Sequence, residues 1–376
     1  MAVPFLDLKL QYIQLKDQLD NALGGVVSSQ YFILGPEVQA LEEEIAEHLS
    51  VPYAVGVASG TDALLLPLRA LSPRPGDEVI VPAFTFFATA GAVWNSGFTP
   101  VFCDVDPDTF NVTAETLESV WSERTKAVVP VHLYGQMAPM AEIRKLCERK
   151  GAFVLEDAAQ AIGAKQVCPG SHQEDWWMAG APGDAAAFSF FPTKNLGGFG
   201  DGGMVTTPDM EFAETITKLR VHGGKQMYHH EMVGTNSRLD ALQAAVLRVK
   251  LPYLSQWADA RRRNAALYDE LLGDLEDVQT PFVAEGNFHV YNQYTLRVRQ
   301  RDELRAFLAE KEIGSGLYYP LGLHLQECFS ALGGKAGDLP VTEALTQEVM
   351  SLPIFPELKE EEISEVGEAI REFYTR

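Results

Sequence analysis

Cysteine is scarce in this chain: four in 376 residues, Cys103, Cys147, Cys168 and Cys328, with no C-x-x-C spacing among them. That pattern excludes a disulfide framework and a thiolate zinc site, and it fits reduced thiols in a cytoplasmic protein. Basic residues are in deficit too. Lysine and arginine number 30 against 52 acidic residues, a net charge of -22 with a pI near 4.7. A field of that sign repels a phosphate backbone at long range, so nucleic acid is excluded as a partner. A phosphorylated small molecule is not, because a few local N–H groups and one lysine outweigh a distant, screened charge. No run of about 18 apolar residues occurs, so no membrane span is expected. The opening MAVPFLDLKLQYIQLKDQLD lacks a basic segment followed by an apolar one, so no export signal is expected either. Internal repeats and low-complexity stretches are also missing, and no G-x-G-x-x-G opens a helix, which speaks against a dinucleotide-binding oxidoreductase.

What is present reads as a globular α/β protein. With 46% hydrophobic residues the chain can fill a core, and its length suits a large domain plus a smaller one. Residues 11–25 and 37–49 have the spacing of amphipathic helices, the second opening at Pro36. From Tyr53 on, short apolar runs alternate with helical stretches: YAVGVAS, EVIVPA, PVFCDV, AVVPVHL, AFVLEDA, AAAFSFF and GGMVTT. Such alternation predicts a mostly parallel sheet covered on both faces. Helices are expected over 237–253 and 258–272. A smaller α+β unit follows, with a strand in YNQYTLRV and helices over 301–311 and from Glu360. We divide the chain at 250, into 1–250 and 251–376. The stretch VCPGSHQEDWWMAGAPG, 167–183, reads as a loop.

In a parallel sheet ligands collect at the carboxyl ends of strands. AFVLED ends in Asp157, with Gln160 three residues on; AAAFS ends in Ser189, with Lys194 five residues on in FPTKNLGGFGDGG. A lysine and a buried acid facing one crevice suit pyridoxal phosphate: the amine forms an imine with the cofactor aldehyde, and the carboxylate keeps the pyridine nitrogen protonated. Ser59, Gly60 and Thr61, where a strand turns into a helix, offer N–H groups and hydroxyls to the phosphate. Phe84, Phe86 and Phe87 cluster after another strand and offer an aromatic cover. Each feature has an ordinary reading: a strand-end acid is a loop cap, Ser-Gly-Thr an N-cap, the lysine solvated, the phenylalanines core, GGFGDGG a plain turn. Their joint order points further.

The blocks FLDLKLQY, FILGPEVQALEEEIAEHL, ASGTDALLL, GDEVIVPAFTFFATA, PVFCDVDPDTFNV, VPVHLYGQ, LEDAAQAIGA, GDAAAFSFFPTKNLGGFGDGGMV, GTNSRLDALQAAVL and YYPLGLHLQ, in this order, resemble the DegT/DnrJ/EryC1/StrS sugar aminotransferases. That family is a branch of the fold-type I, aspartate aminotransferase-like pyridoxal-phosphate enzymes. The resemblance implies that Lys194 holds the cofactor and is the catalytic residue, that Asp157 pairs with the pyridine nitrogen, and that Gln160 lies by the ring hydroxyl. It implies further that Phe86 stacks on the ring, and that Ser59, Gly60, Thr61 and Ser189 surround the phosphate. Asn236 would reach the phosphate of a second subunit, which implies a homodimer with shared sites. Arg238 matches a position that contacts the acidic part of the substrate in some relatives, and Tyr319 and His324 lie in a block that borders the sugar site. The implied reaction takes an amine from L-glutamate through pyridoxamine phosphate to a nucleotide-linked keto sugar, for a polysaccharide, lipopolysaccharide or antibiotic sugar. The segment HGGKQMYHHEMVGTNSRLDALQAAVL is most like C3 aminotransferases of UDP- or dTDP-linked 3-keto sugars; C4 amination and a non-catalytic regulatory member are the alternatives. One departure stands out: between Gly163 and Asp184 the chain is longer than the family spacing. The extra residues include Trp176 and Trp177, a surface insertion or a cover for a base or a dimer edge.

Overall fold

The computed structural model describes residues 2–168, 170, 175–226 and 228–375. The apolar runs become β1 (Tyr53–Val57), β2 (Glu78–Pro82), β3 (Thr99–Cys103), β4 (Thr125–Val128) and β5 (Phe153–Asp157). There follow β6 (Lys165–Val167), β7 (Trp176–Met178), β8 (Ala185–Ser189) and β9 (Gly203–Thr207). Seven of them form one sheet in the order β1-β9-β8-β5-β4-β2-β3. From β3 to β8 neighbours are parallel, and β9 runs antiparallel to both β8 and β1. The reversal has a local cause. Parallel pairing needs a crossover element, whereas β8 returns into β9 through the glycine-rich turn 195–202, which holds no helix.

The two-residue period of a strand sorts the side chains onto two faces. Val55, Val57, Val79, Val81, Leu155, Ala187 and Val205 face one apolar core. Ile80, Val128, Val154, Ala186, Phe188 and Met204 face the other. Helices Gly60–Ala70 and Met210–Leu219 cover the first face; Pro36–Leu49, Met140–Lys150 and Ala241–Lys250 cover the second.

The later chain adds β10 (Val278–Gln279), β11 (Asn287–Phe288), β12 (Tyr294–Val298) and β13 (Val349–Leu352). The order β10-β12-β13 is antiparallel, with helices Arg301–Glu310 and Glu360–Thr375 beside it. A separate apolar core forms here around Tyr268, Tyr294, Leu296, Phe355 and Ile370, and Val3 joins it from the other end of the chain. Helix Leu254–Leu272 links the cores, its Leu254 and Ala258 in the sheet core and its Tyr268 and Leu272 in the small one.

Two expectations need correction. The helix expected over 237–253 begins only at Ala241 and passes into a 3-10 turn at Leu251. Ser237 lies outside the helix, its hydroxyl bonded to Ala58 N (3.2 Å) and Asp62 (2.7 Å), and Asp240 bridges to Ile33. The stretch 167–183, expected as a loop, contains β7, which pairs with β6, and β6 pairs in turn with β11. Residues 169 and 171–174 of that stretch lie outside the described residues. No helix among the described residues is long and apolar enough to cross a membrane.

Candidate active site

Asp157 is the last residue of β5 and only 5% exposed. Its Oδ2 accepts from the Thr89 hydroxyl (2.8 Å) and its Oδ1 from Ala159 N (3.2 Å). Burial raises its pKa above the usual carboxylate range, while Thr89, Ala159, Lys194 and His132 pull it back down. Lys194 sits in the turn after β8, its amide donating to Phe191 O (2.8 Å). Burial lowers its amine to about 8, and the charge of Asp157 works against that fall. The two groups therefore feel each other across the carboxyl ends of β5 and β8.

Gln160 is buried three residues beyond Asp157. Its Oε1 accepts from Tyr134 N (2.6 Å) and its Nε2 donates to the Tyr319 hydroxyl (3.3 Å). Phe86, immediately before helix Phe87–Ser96, is 60% exposed, with its ring centroid 6.2 Å from that of Tyr319. An aromatic face so open beside a buried acid leaves room for a flat ligand.

The strand-to-helix turn after β1 is built for close approach. A Cβ on Gly60 would fall 2.6 Å from Ser189 Cβ and 2.9 Å from its Oγ, so glycine brings the first turn of helix Gly60–Ala70 onto the end of β8. Ser59 caps that helix, its hydroxyl accepting from Asp62 N at 3.1 Å. The amides of Gly60 and Thr61 have no intrahelical acceptor, an arrangement able to bind an anion.

Behind β5, Glu156 is fully buried and accepts from Gly180 N (2.9 Å), Gly183 N (2.6 Å) and His132 Nε2 (2.7 Å). The His132 Nδ1 accepts from Ala138 N (3.1 Å), so the ring proton is on Nε2 and points at the carboxylate. This pair fastens residues 180–183, which lead into β8.

Of the residues singled out from the sequence, Lys194 feels the charge of Asp157, Tyr319 meets both Gln160 and Phe86, and Gly60 abuts Ser189, at the carboxyl ends of β5 and β8. His324 is 3% exposed and its Nε2 lies 3.1 Å from Glu343. Asn236 is exposed, next to the buried Ser237. Arg238 lines a cavity of about 940 Å³ under residues 217–234, which includes neither Asp157 nor Lys194. Among the described residues, the half-buried Lys194, the buried Asp157 and the glycine-led first turn of a helix come together at the carboxyl ends of β5 and β8 instead. Trp177 packs its ring near the Arg144 guanidinium (5.7 Å), while Trp176 is exposed at the sheet edge. Sequence reasoning missed Thr89, Tyr134, His132 and Glu156; Thr89 alone had a local signal, three residues after Phe86.

Fold and site together define an aminotransferase of the pyridoxal-phosphate type. The family model of the DegT/DnrJ/EryC1/StrS aminotransferase family matches residues 14–371, and the chain belongs to that family. It is 50% identical to a pleiotropic regulatory protein of Geobacillus stearothermophilus, over 100% of this chain and 99% of that one. It is 45% identical to the UDP-N-acetyl-3-dehydro-alpha-D-glucosamine 3-aminotransferase of Acidithiobacillus ferrooxidans, over 98% and 97%. Among solved structures, S. venezuelae DesV in complex with a ketimine intermediate superposes with a TM-score of 0.95 at 42% identity, covering 100% of this chain and 99% of that one.

Proposed function

We propose that the chain moves an amino group from L-glutamate to the C3 ketone of a nucleotide-linked sugar, with pyridoxal phosphate held by Lys194. The observation that carries this reading is the half-buried Lys194 coupled to the buried Asp157 beside the close Gly60–Ser189 approach; amine, acid and anion donors are the set the cofactor requires, and they fit it. When bound, the cofactor supplies an electron-withdrawing ring that lets a hydrogen leave the carbon bearing the amine as a proton. Asp157 supplies the negative charge for the ring nitrogen, and Gln160 an amide for the ring hydroxyl. Phe86 covers the ring face. Gly60, Thr61, Ser59 and Ser189 donate to the phosphate. Lys194 takes the proton from the donor carbon and delivers one to the sugar carbon, a task suited to an amine whose conjugate acid titrates near 8.

The same reading makes 1–250 the cofactor-binding domain and 251–376 the small domain, and it needs a second copy. Tyr31 (65% exposed) and Ile33 (49%) are exposed apolar side chains, and Ile33 bridges to Asp240, four residues beyond Asn236. Exposed side chains of that kind fit burial against a partner whose phosphate site Asn236 completes. Arg238, Tyr319 and His324 remain the sugar-side residues of this reading. C3 is chosen over C4 because the 45%-identical relative bears the name of a 3-aminotransferase. A regulatory role, the name of the 50%-identical relative, is disfavoured by the intact Lys194, Asp157 and Asn236.

The test supplies glutamate, pyridoxal phosphate and, in turn, UDP-linked 3-keto N-acetylglucosamine, a dTDP-linked 3-keto-6-deoxy sugar and a 4-keto-6-deoxy sugar, and locates new nitrogen by NMR. Nitrogen at C3 is the predicted result. Turnover of the 4-keto sugar alone would replace C3 by C4, and no product with any of them would leave the regulatory reading.

A further inference from the structure

Lys194 is carried by a turn, and a turn holds an amine in place only if something holds the turn. The residue after it, Asn195, is 6% exposed. Its Nδ2 donates to Val290 O (3.1 Å) and its Oδ1 accepts from Asn292 Nδ2 (2.8 Å). Asn292 is 8% exposed and stands just before β12, where the chain enters the small antiparallel sheet. Its main-chain N–H donates to Tyr134 O (2.8 Å), and Tyr134 N in turn donates to Gln160 Oε1 (2.6 Å). Gly135 makes this approach possible: a Cβ there would fall 2.8 Å from Val290 Cγ2 and 3.2 Å from Asn292 N.

One residue thus has its side chain on the turn of Lys194 and its backbone on the turn that holds Gln160. The side-chain Oδ1 of Asn292 has no hydrogen-bond partner among the described residues, so the bond to Asn195 is the single polar tie that side chain makes. We infer that Asn292 is a positioning residue: acting through Asn195, it sets the place of the Lys194 amine relative to Gln160 and Asp157. The inference rests on the reading of Lys194 given above. A buried amide with one partner at each end is directional, whereas the apolar contacts around it are not.

The experiment compares wild type with Asn292→Asp, which keeps the shape and loses the donor, and with Asn195→Ala, which cuts the same bond from the other side. In protein stripped of cofactor, hydrogen exchange at the Lys194 and Gly198 amides, which donate to Phe191 O and Phe190 O, is expected to quicken about tenfold in both variants. Amides of β2 and β4 should keep wild-type rates. In the loaded enzyme the glutamate half-reaction should slow by about 10- to 100-fold, with KM for glutamate within about twofold, as expected of a misplaced group. The Asn195→Ala/Asn292→Asp double variant should be no slower than either single one. Wild-type exchange at Lys194 and Gly198, or faster exchange spread evenly over the sheet, would overturn the inference. Failure of the wild type to take up pyridoxal phosphate would instead sink the reading of Lys194, and the exchange result would still decide whether Asn292 holds the turn.

Discussion

Replacing Asp157 by asparagine separates charge from shape at the centre of the crevice. The side chain is 5% exposed, so the amide must occupy the same space, and Thr89 can still donate to its oxygen. What changes is the field on Lys194. Burial alone lowers that amine and Asp157 raises it, and with both acting it titrates near 8. At pH 7.5 about a quarter of Lys194 is therefore neutral, against about one in a thousand for a solvated lysine. With the carboxylate gone the opposing influence is gone, and the pKa falls below about 8. In cofactor-free protein Asp157→Asn should thus make Lys194 more reactive toward an amine-selective reagent at pH 7, with a midpoint on the acid side of wild type. In the loaded enzyme the same change should cost about 100- to 1000-fold in turnover, the scale of removing a positioned electrostatic partner. Peptide mapping of Lys194 labelling against pH, beside the glutamate half-reaction rate, reads both. A midpoint that stays or rises, or turnover within about threefold of wild type, would refute the pairing of these two groups.

The other predictions concern what surrounds the pair. Gly60→Ala places a Cβ 2.6 Å from Ser189 Cβ; the helix end must shift away from β8, and the Kd for pyridoxal phosphate, measured by fluorescence titration on the folded protein, should rise by about tenfold or more. Thr89→Val removes the donor that holds the Asp157 carboxyl down, so its pKa rises further. Because the ionised form is the useful one, the acid limb of the kcat–pH profile should move to higher pH, with a loss at neutral pH of about tenfold; an unmoved limb contradicts the role given to Thr89. Glu156→Ala strips three donors of their buried acceptor; urea denaturation should show a loss of about 3–5 kcal/mol, and a loss under about 1 kcal/mol would mean that water replaces the carboxylate.

The sheet could be read from the sequence because its strands repeat a simple pattern, and Asp157 and Lys194 could be singled out because one closes a strand and the other follows one by five residues. The turn Ser59–Thr61 stood out for the same reason, as a small-residue step from strand to helix. The supports of the site did not. Asn195 and Asn292 are 97 positions apart, and Lys250, whose amine donates to Gly197 O at 2.6 Å, is 53 positions from its acceptor. No local period marks such pairs, since only the completed fold brings them together. The start of helix Ala241–Lys250 was hidden on the same ground: Ser237 is bonded to Ala58 and Asp62, 179 and 175 positions away. Thr89 shows the intermediate case, close in sequence to Phe86 yet useful only because β5 ends beside it.

The central claim is that Lys194 holds pyridoxal phosphate and passes protons in amino transfer. It is tested most directly by the visible absorbance of the purified protein mixed with pyridoxal phosphate and then with glutamate, wild type beside Lys194→Ala. The account predicts a visible band of lysine-bound cofactor in the wild type that disappears on adding glutamate, and no such exchange in Lys194→Ala. A wild type that develops no band, or a Lys194→Ala variant that carries out the same half-reaction, would contradict it.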